Sequence, residues 1–288
     1  MDSDKVQYIQ DFNEIDINFD KKSLFSALVN CLTPAEACKV LDLTFEQELS
    51  KRWIIQSKIA KDMEAGVQEC HVDLAHKLVT VFGQLPPKRK RACAYCIRVL
   101  IEHLSDDIRF PIVEFLLESS VEYVRQNAYH TLKKNWGIQY QFLILNAWEK
   151  YSDLSCAKLI IDHFPAENLV EHFDALQDTV KDTGYLARLY LKIGEHDFTK
   201  LKTLPVVDEI RLTYAATKLR HSFEESYAVA LFERNKYSDS IGLLIWCFGQ
   251  MKLWSVLEKI RQVIDTLPYE RFGIKFKPEV TQNDSTKP

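Results

Sequence analysis

Apolar residues recur at helical spacing along almost the whole chain, and helix-start signals lie between the apolar stripes. The clearest stripe contains Cys93, Cys96, Ile97, Leu100, Ile101 and Leu104, spaced at i, i+3, i+4, i+7, i+8 and i+11. Such spacing puts apolar side chains on one face of a helix. No segment shows the alternation bounded by hairpin turns that predicts a strand. The pattern therefore predicts an all-α protein of about a dozen or more helices.

Capping signals predict where several helices begin. Four capping boxes are present: Thr33/Glu36, Thr44/Gln47, Ser119/Glu122 and Ser222/Glu225. In such a box the hydroxyl accepts a bond from the backbone N–H of the Glu or Gln, whose side chain reaches back to the first residue. Glycines at the ends of apolar stripes, such as Gly83 and Gly194, predict helix ends. We predict one uninterrupted helix from Ala166 to Gln177, while residues 195–204 fit either a helical turn or a loop.

Serial helices with short connections must pack on one another to bury their apolar stripes. Pairing neighbours gives units of roughly 30 residues, which is within the range of helical repeats. No linker rich in Pro, Gly or Ser divides the chain. We therefore predict one continuous array, with a divergent helical cap at 1–66, helical repeats at 67–267 and an irregular or disordered tail at 268–288.

The segment 119–135, SSVEYVRQNAYHTLKKN, carries a recognisable pattern. Val124 and Arg125 are followed by the small residue Ala128 and the apolar residue Leu132, and Val121, Val124, Ala128 and Leu132 are predicted to point inward. This pattern resembles a helix of a HEAT-type repeat. A weaker version is Ile97-Arg98 with Ile101.

The resemblance covers residues 88–165 and extends weakly to about residue 267. It implies a right-handed α-α superhelix, a HEAT-like (armadillo-type) solenoid. Proteins similar to this family bind a protein or nucleic acid along a concave face built from the second helix of each pair. A tetratricopeptide array is the structural rival, but its 34-residue period with Trp, Gly, Tyr and Pro is missing.

Charge and composition narrow the functional classes. The chain has 288 residues, with 37 Lys plus Arg against 41 Asp plus Glu and a net charge of −4. This balance disfavours a nucleic-acid partner. No apolar run reaches the ~18–20 residues of a membrane span, and residues 1–20 lack the features of a signal peptide. We predict a cytoplasmic protein with reduced thiols and no contact with a membrane.

The cysteines include a CxxC spacing, Cys93-Ala94-Tyr95-Cys96. Both thiols lie on the apolar stripe of a predicted helix, so we interpret them as buried core residues. A zinc site that also uses Cys70 and His71 is the alternative, because zinc requires further ligands beside one CxxC pair. The sequence predicts no cofactor and no metal.

A run of four basic residues, Lys88, Arg89, Lys90 and Arg91, follows two prolines near a predicted helix start. Cations are mildly unfavourable at that end of a helix. The run is either a solvated first turn or an electrostatic contact for phosphate or an acidic partner. We take these four as the candidate partner-binding residues.

Sequence motifs for catalysis are missing: the chain has no Walker loop, GxGxxG or nucleophile elbow. Helical-repeat glycosylases for alkylated DNA bases use aromatic and acidic residues, and Trp136, Trp148, Glu149 and Asp153 lie near one another. Core packing explains these tryptophans better.

The expected function is a non-enzymatic scaffold or adaptor that binds a protein partner on a concave face. The alternatives are a nucleic-acid-binding protein such as an alkylated-base DNA glycosylase, and an inhibitor or immunity protein that neutralises a toxic partner.

Overall fold

The computed structural model describes residues 30–39, 52–66, 70–181, 183–205 and 207–264, and within these ranges the regular structure is helical, with no strand. The all-α prediction is therefore confirmed for the described part of the chain. The chain divides into two compact units, with the boundary between His163 and Phe164.

The first unit contains eight helices among its described residues. They are α1 (34–39), α2 (Arg52–Glu64), α3 (His71–Phe82), α4 (Pro87–Ile101), α5 (Asp106–Leu117), α6 (Glu122–Lys134), α7 (Gln141–Tyr151) and α8 (Leu154–His163). A short 3-10 helix, Ile138–Tyr140, precedes α7.

Helices of the first unit form two rows. Helix α4 packs against α2 and α6, and α6 packs against α8, which gives a row of even-numbered helices. In the same way α5 packs against α3 and α7, which gives a row of odd-numbered helices. Contacts of α3, α5 and α7 with α4, α6 and α8 bury the apolar stripes between the rows. The predicted stripe lies there. Five of its residues belong to α4 and Leu104 follows the helix, and all six are buried.

The second unit contains seven helices among its described residues. They are α9 (Ala166–Glu171), α10 (Phe173–Val180), α11 (Tyr185–Thr203), α12 (Glu209–Lys218), α13 (Glu225–Asn235), α14 (Ile241–Gln250) and α15 (Trp254–Ile264). A core of its own joins α12 to α15 and consists of Ile210, Ala228, Leu231, Phe232, Ile241, Leu244, Phe248, Val256 and Ile260.

The capping predictions have mixed outcomes. Thr33 and Glu36 form the predicted box, with Thr33 N donating to Glu36 Oε2 at 2.9 Å and Glu36 N donating to Thr33 Oγ1 at 3.3 Å. The Ser119/Glu122 and Ser222/Glu225 boxes are wrong. Helix α6 begins after Val121 and α13 after Glu224, both without a side-chain cap bond. The Thr44/Gln47 box lies outside the described residues.

At the start of α6, Ser119 Oγ instead accepts a hydrogen bond from Val121 N at 3.2 Å. The serine hydroxyl thus bonds the N–H of the residue two positions later instead of the N–H of Glu122. The helix therefore starts at Glu122 rather than at the serine. Val121 is consequently 47% exposed, and its predicted inward orientation is wrong. Val124, Ala128 and Leu132 are buried as predicted.

Two further predictions of helix ends differ from the structure. Gly194 lies inside the first part of α11 rather than at its end, and the break comes at Asp197, whose backbone angles are not helical (φ −151°, ψ 99°), before a second helical part runs to Thr203. The predicted helix from Ala166 to Gln177 is broken at His172, where the backbone leaves helical geometry between α9 and α10. By contrast, α3 ends at Phe82 before Gly83, as predicted.

The predicted cap at 1–66, repeats at 67–267 and tail at 268–288 stay predictions. Residues 1–29, 40–51 and 265–288 lie outside the described residues. Within the described helices, none is long and apolar enough to cross a membrane.

Candidate functional site

The basic run lies in the first turns of α4, where Pro86 is the N-cap and Pro87 the first helical residue. Lys88 follows Pro87 in that turn. Arg89 is half-buried. Lys90 Nζ lies 5.9 Å from the centre of the Phe82 ring. Arg91 is exposed, and its guanidinium carbon lies 5.5 Å from the centre of the Tyr123 ring.

Four consecutive helical residues cover more than one turn, so they do not share a face. The side chains of Arg89, Lys90 and Arg91 therefore leave α4 in different directions. Arg91 lies against Tyr123 of the neighbouring helix α6.

Arg91 and Tyr123 belong to what we call the α4/α6 face. It consists of Arg91, Tyr95 and Arg98 from α4, Glu102 directly after α4, and Tyr123, Gln126, His130 and Lys134 from α6. Each set recurs at three- and four-residue steps, so each lies on one side of its helix. Because α4 and α6 are neighbours in the even-numbered row, the two sets face one another.

At the first end of the face, arginines lie over exposed tyrosines. Arg91 is over Tyr123, and the guanidinium carbon of Arg98 lies 4.7 Å from the centre of the Tyr95 ring. Tyr95 is 38% exposed and Tyr123 is 42% exposed. These contacts are cation–π pairs, which hold the rings in place while leaving the tyrosines and Arg91 accessible, whereas the side chain of Arg98 is only 15% exposed.

At the other end of the face, Glu102 is the centre of a charge network. It accepts from Lys134 Nζ at 2.7 Å and from Arg98 Nη1 at 3.3 Å, and His130 Nε2 lies 3.9 Å from its carboxylate. Burial lowers the pKa of His130, and the charge of Arg98 lowers it further. His130 is therefore held in its neutral form more strongly than a free histidine.

Beneath the exposed surface, a buried ion pair fixes α6 to the start of α8. Arg125 donates from Nε to Asp153 Oδ2 at 2.6 Å and from Nη2 to Asp153 Oδ1 at 2.9 Å. Tyr129 OH donates to the same carboxylate at 2.8 Å, and the Arg125 guanidinium lies over the Tyr151 ring. The arginine of the predicted HEAT-like pattern thus has a structural role between adjacent helices.

The structure also shows where the four residues lie that resemble those of alkylated-base DNA glycosylases. Asp153 is buried and bonded to Arg125 and Tyr129, and Trp148 is buried. The Trp136 ring stacks on His163 with centres 4.5 Å apart. Glu149 is exposed. These four residues do not converge on a common cavity, which agrees with their interpretation as packing residues.

The predicted core thiols Cys93 and Cys96 are buried, and Cys93 Sγ donates to Leu78 O at 3.6 Å. They do not join Cys70 and His71, as the zinc alternative required. Instead, Cys38 Sγ lies 3.0 Å from Cys70 Sγ. One ligand atom each from Cys38, Cys70 and His71 lies within 4.8 Å of the others, close enough to hold a metal ion.

The second unit contains an open cleft of about 450 Å³, lined by Lys202, Leu212, Ser222, Phe223, Glu224 and Tyr227. Lys202 Nζ lies 4.9 Å from the Phe198 ring centre and 5.9 Å from that of Phe223. The lysine is thus held against aromatic rings on the wall of the cleft. This open, mixed lining differs from the enclosed apolar pockets that bind small ligands.

Sequence reasoning identified Arg91 but missed the exposed Tyr95 and Tyr123 and the half-buried Arg98 as members of the same surface. The spacing Arg91, Tyr95, Arg98 at i, i+4 and i+7 could have shown that one side of α4 is basic and aromatic. The pairing of this stripe with Tyr123 depends on the packing of α4 against α6, which no local pattern shows. Comparisons of the chain with family models, curated proteins and solved structures found no match.

Proposed function

We propose that the chain is a non-enzymatic scaffold or adaptor that binds a protein partner through the α4/α6 face. The observation that carries the proposal is the pair of exposed tyrosines held by arginines, Tyr123 under Arg91 and Tyr95 under Arg98. Tyr and Arg are enriched among the residues that dominate binding energies at protein interfaces. Rings already held in place by cations lose little side-chain freedom when a partner binds.

The helical architecture supports the same proposal. In the first unit, helices pack against their next-but-one neighbours in two rows, as helical-pair repeats do. We extend this to the predicted HEAT-like, right-handed superhelix, in which such rows build a long binding surface. The α4/α6 face spans two adjacent helices of one row, so a partner would contact successive helices.

The charge of α4 indicates what kind of partner suits the face. This helix contains five basic residues and no acidic residue. A partner with acidic side chains around an apolar centre would complement it, since opposite charges increase the rate of association and reject wrong partners. The Lys88 to Arg91 run would then steer the partner, while the tyrosines provide contact area.

A photo-crosslinking experiment tests the assignment of the face. A photoreactive phenylalanine analogue replaces Tyr95 in the full chain, which is expressed in its own cells and irradiated. The control places the same analogue at Phe142, which is 70% exposed and lies on the odd-numbered row. We expect a discrete adduct with one acidic protein from position 95 and none from position 142. Adducts only from position 142 would contradict the assignment.

Substitutions then measure the contribution of individual residues. We expect Tyr123→Ala and Arg91→Glu each to weaken binding of the captured partner by about 10-fold or more, the effect of a central interface residue. Ile138→Ala, at another exposed apolar position, is the matched control and leaves affinity unchanged. Equal affinities for all variants would remove the face as the binding site.

Binding of nucleic acid, rather than of a protein, to the α4/α6 face would replace this proposal. Binding to single- and double-stranded DNA and RNA is measured at a low and a moderate salt concentration. We expect no binding that survives moderate salt. A steep loss of a tight complex with rising salt, abolished by Arg91→Glu with Arg98→Glu, would indicate contacts to phosphates instead.

A further inference from the structure

Two thiols and an imidazole meet where α1 approaches the start of α3. Cys38 and His71 are buried, and Cys70 is half-buried. The Sγ atoms of Cys38 and Cys70 are 3.0 Å apart, and a ring nitrogen of His71 lies within 4.8 Å of both. The three residues come from segments separated by more than thirty positions, so the packing of the chain brings them together.

We propose that Cys38, Cys70 and His71 bind a zinc ion. Thiolate and imidazole are the preferred ligands of zinc in proteins, and Cys₂His sets with one further ligand occur in zinc enzymes. The site lies apart from the α4/α6 face, and the proposal does not depend on the function of that face.

The spacing of the ligand atoms fits zinc after a small movement. With Zn–S bonds of about 2.3 Å in tetrahedral geometry, two zinc-bound sulfurs lie about 3.8 Å apart. The observed 3.0 Å therefore has to increase by less than 1 Å. A His71 nitrogen lies within 4.8 Å of both sulfurs, close enough for all three groups to share one ion.

A disulfide is the competing chemistry for two neighbouring thiols. It would involve Cys38 and Cys70 alone, whereas the buried ring of His71 lies beside them with a nitrogen within 4.8 Å of both sulfurs. Zinc uses all three groups at once, and for this reason we favour it.

The surroundings favour a cation. Asp62 Oδ2, on α2, is buried and has no hydrogen-bond partner among the described residues, while its other oxygen pairs with Lys58. Asp62 and Lys58 are both close enough to interact electrostatically with Cys38, and a divalent ion beside Cys38 would be attracted by the buried carboxylate oxygen of Asp62.

Binding is accompanied by a defined proton balance. Zinc binds the thiolate forms, so Cys38 and Cys70 each lose a proton as the two Zn–S bonds form, and neutral His71 donates its nitrogen lone pair. No electron is transferred. The ion would link α1 to the N-terminus of α3, where Cys70 is the N-cap residue and has no side-chain cap bond.

The test begins with the full chain, reduced, stripped of metal with a chelator and then mixed with Zn²⁺. We expect elemental analysis after gel filtration to give one zinc per chain, with release of two protons. Titration with Co²⁺ in place of zinc should give the visible bands of tetrahedral cobalt and the near-ultraviolet band of cobalt–thiolate bonds.

Matched variants locate the site. Cys70→Ser and His71→Ala should weaken zinc affinity about 100-fold or more. The loss of a residue that only hydrogen-bonds to a metal ligand costs about 10- to 100-fold, and the loss of a ligand should cost at least as much. Asp62→Asn should weaken it about 10-fold. The controls are Cys31→Ser and His76→Ala, an exposed thiol and an exposed imidazole nearby, which should bind zinc as the unchanged chain does.

Three results would overturn the proposal. The first is no zinc on the folded, reduced chain. The second is zinc bound equally by the Cys70→Ser variant, which removes a half-buried side chain and should fold. The third is a Cys38–Cys70 disulfide in protein purified without reductant, detected by mass spectrometry, together with failure of the reduced chain to bind Zn²⁺ or Co²⁺.

Discussion

Arg125 is almost completely buried, and a buried charge is tolerated only when its partners replace the lost water. Arg125 donates two hydrogen bonds to the Asp153 carboxylate and a third to Ser119 O at 2.8 Å, and the Tyr151 ring covers the guanidinium. We expect Asp153→Ala to lower the free energy of unfolding by about 3–5 kcal/mol, because Arg125 would stay buried without its counter-ion. Urea denaturation of the full chain measures the change.

Tyr129→Phe is the control for this prediction. It removes the single hydroxyl bond to the Asp153 carboxylate and keeps the ion pair, so we expect a loss of about 1.5–3 kcal/mol. If the two variants were equally stable, the Arg125–Asp153 pair would contribute no more than this one hydroxyl hydrogen bond.

Tyr140 makes stability depend on alkaline pH. Burial and, to a smaller extent, the hydrogen bond to Asp106 Oδ1 at 3.0 Å together raise its pKa to about 12. The folded pKa is above the unfolded value of about 10, so the stabilising effect is complete below pH ~10 and is lost as the pH rises toward 12. We expect the urea midpoint to fall over that range less steeply in Tyr140→Phe than in the unchanged chain.

If the urea midpoints of both proteins fell equally steeply with rising pH, groups other than Tyr140 would cause the effect. Cys156 is one of these, because burial raises the pKa of its thiol to about 12 and the thiol donates to Ile144 O.

Individual residues were predictable where a local pattern decides their environment. The stripe of α4 fixes the burial of Cys93 and Cys96, because helical periodicity alone sets which side faces the core. The partner of Arg125 lies 28 positions away and that of Cys38 lies 32 positions away. Such pairs depend on which helices pack together, and a single sequence does not specify that.

At the scale of elements, the capping boxes provide a direct comparison. Thr33 and Glu36 make both reciprocal bonds at the start of α1, whereas Ser222 makes no cap bond at the start of α13. We therefore expect Thr33→Ala to cost about 1 kcal/mol and Ser222→Ala less than about 0.5 kcal/mol. Thermal unfolding of both variants checks the difference, and a larger effect at Ser222 would contradict it.

Two glycines test how elements pack. A methyl group at Gly194 of α11 would lie 2.8 Å from Leu219 Cδ1 and 3.2 Å from Leu201 Cδ2, while one at Gly83 would contact nothing within 4 Å. We expect Gly194→Ala to destabilise by about 1–3 kcal/mol through overpacking. Gly83 has helical angles, so Gly83→Ala should stabilise by about 0.4–1 kcal/mol. Denaturation midpoints that shift in the same direction would contradict this reasoning.

The helix-end predictions differ because glycine has more than one role. Gly83 follows an apolar stripe and lies before two prolines, so several signals agree on the end of α3. Gly194 has only the stripe before it, and its lack of a side chain instead allows α11 to pass close to Leu219. Tertiary packing thus overrides the local signal at Gly194, and the sequence could not distinguish the two cases.

For the whole molecule, periodicity is sufficient to predict the all-α class but not how helices group. The chain has no Pro-, Gly- or Ser-rich linker, yet it divides into two compact units between His163 and Phe164. The residues there, His163-Phe164-Pro165, form a short connection with no special composition. Such a division exists because residues contact others within their own unit more than residues of the other unit. No change in amino-acid composition along the chain marks it.

The core of the second unit leads to a prediction about folding. Its buried cluster on α12 to α15 is built from residues of that unit alone. A fragment of residues 164–288, about 125 residues, is long enough to bury a core of its own. We expect it to show helical circular dichroism and a single cooperative unfolding transition. A fragment without helical signal would mean that the second unit requires the first to fold, and the two compact units would then be one thermodynamic domain.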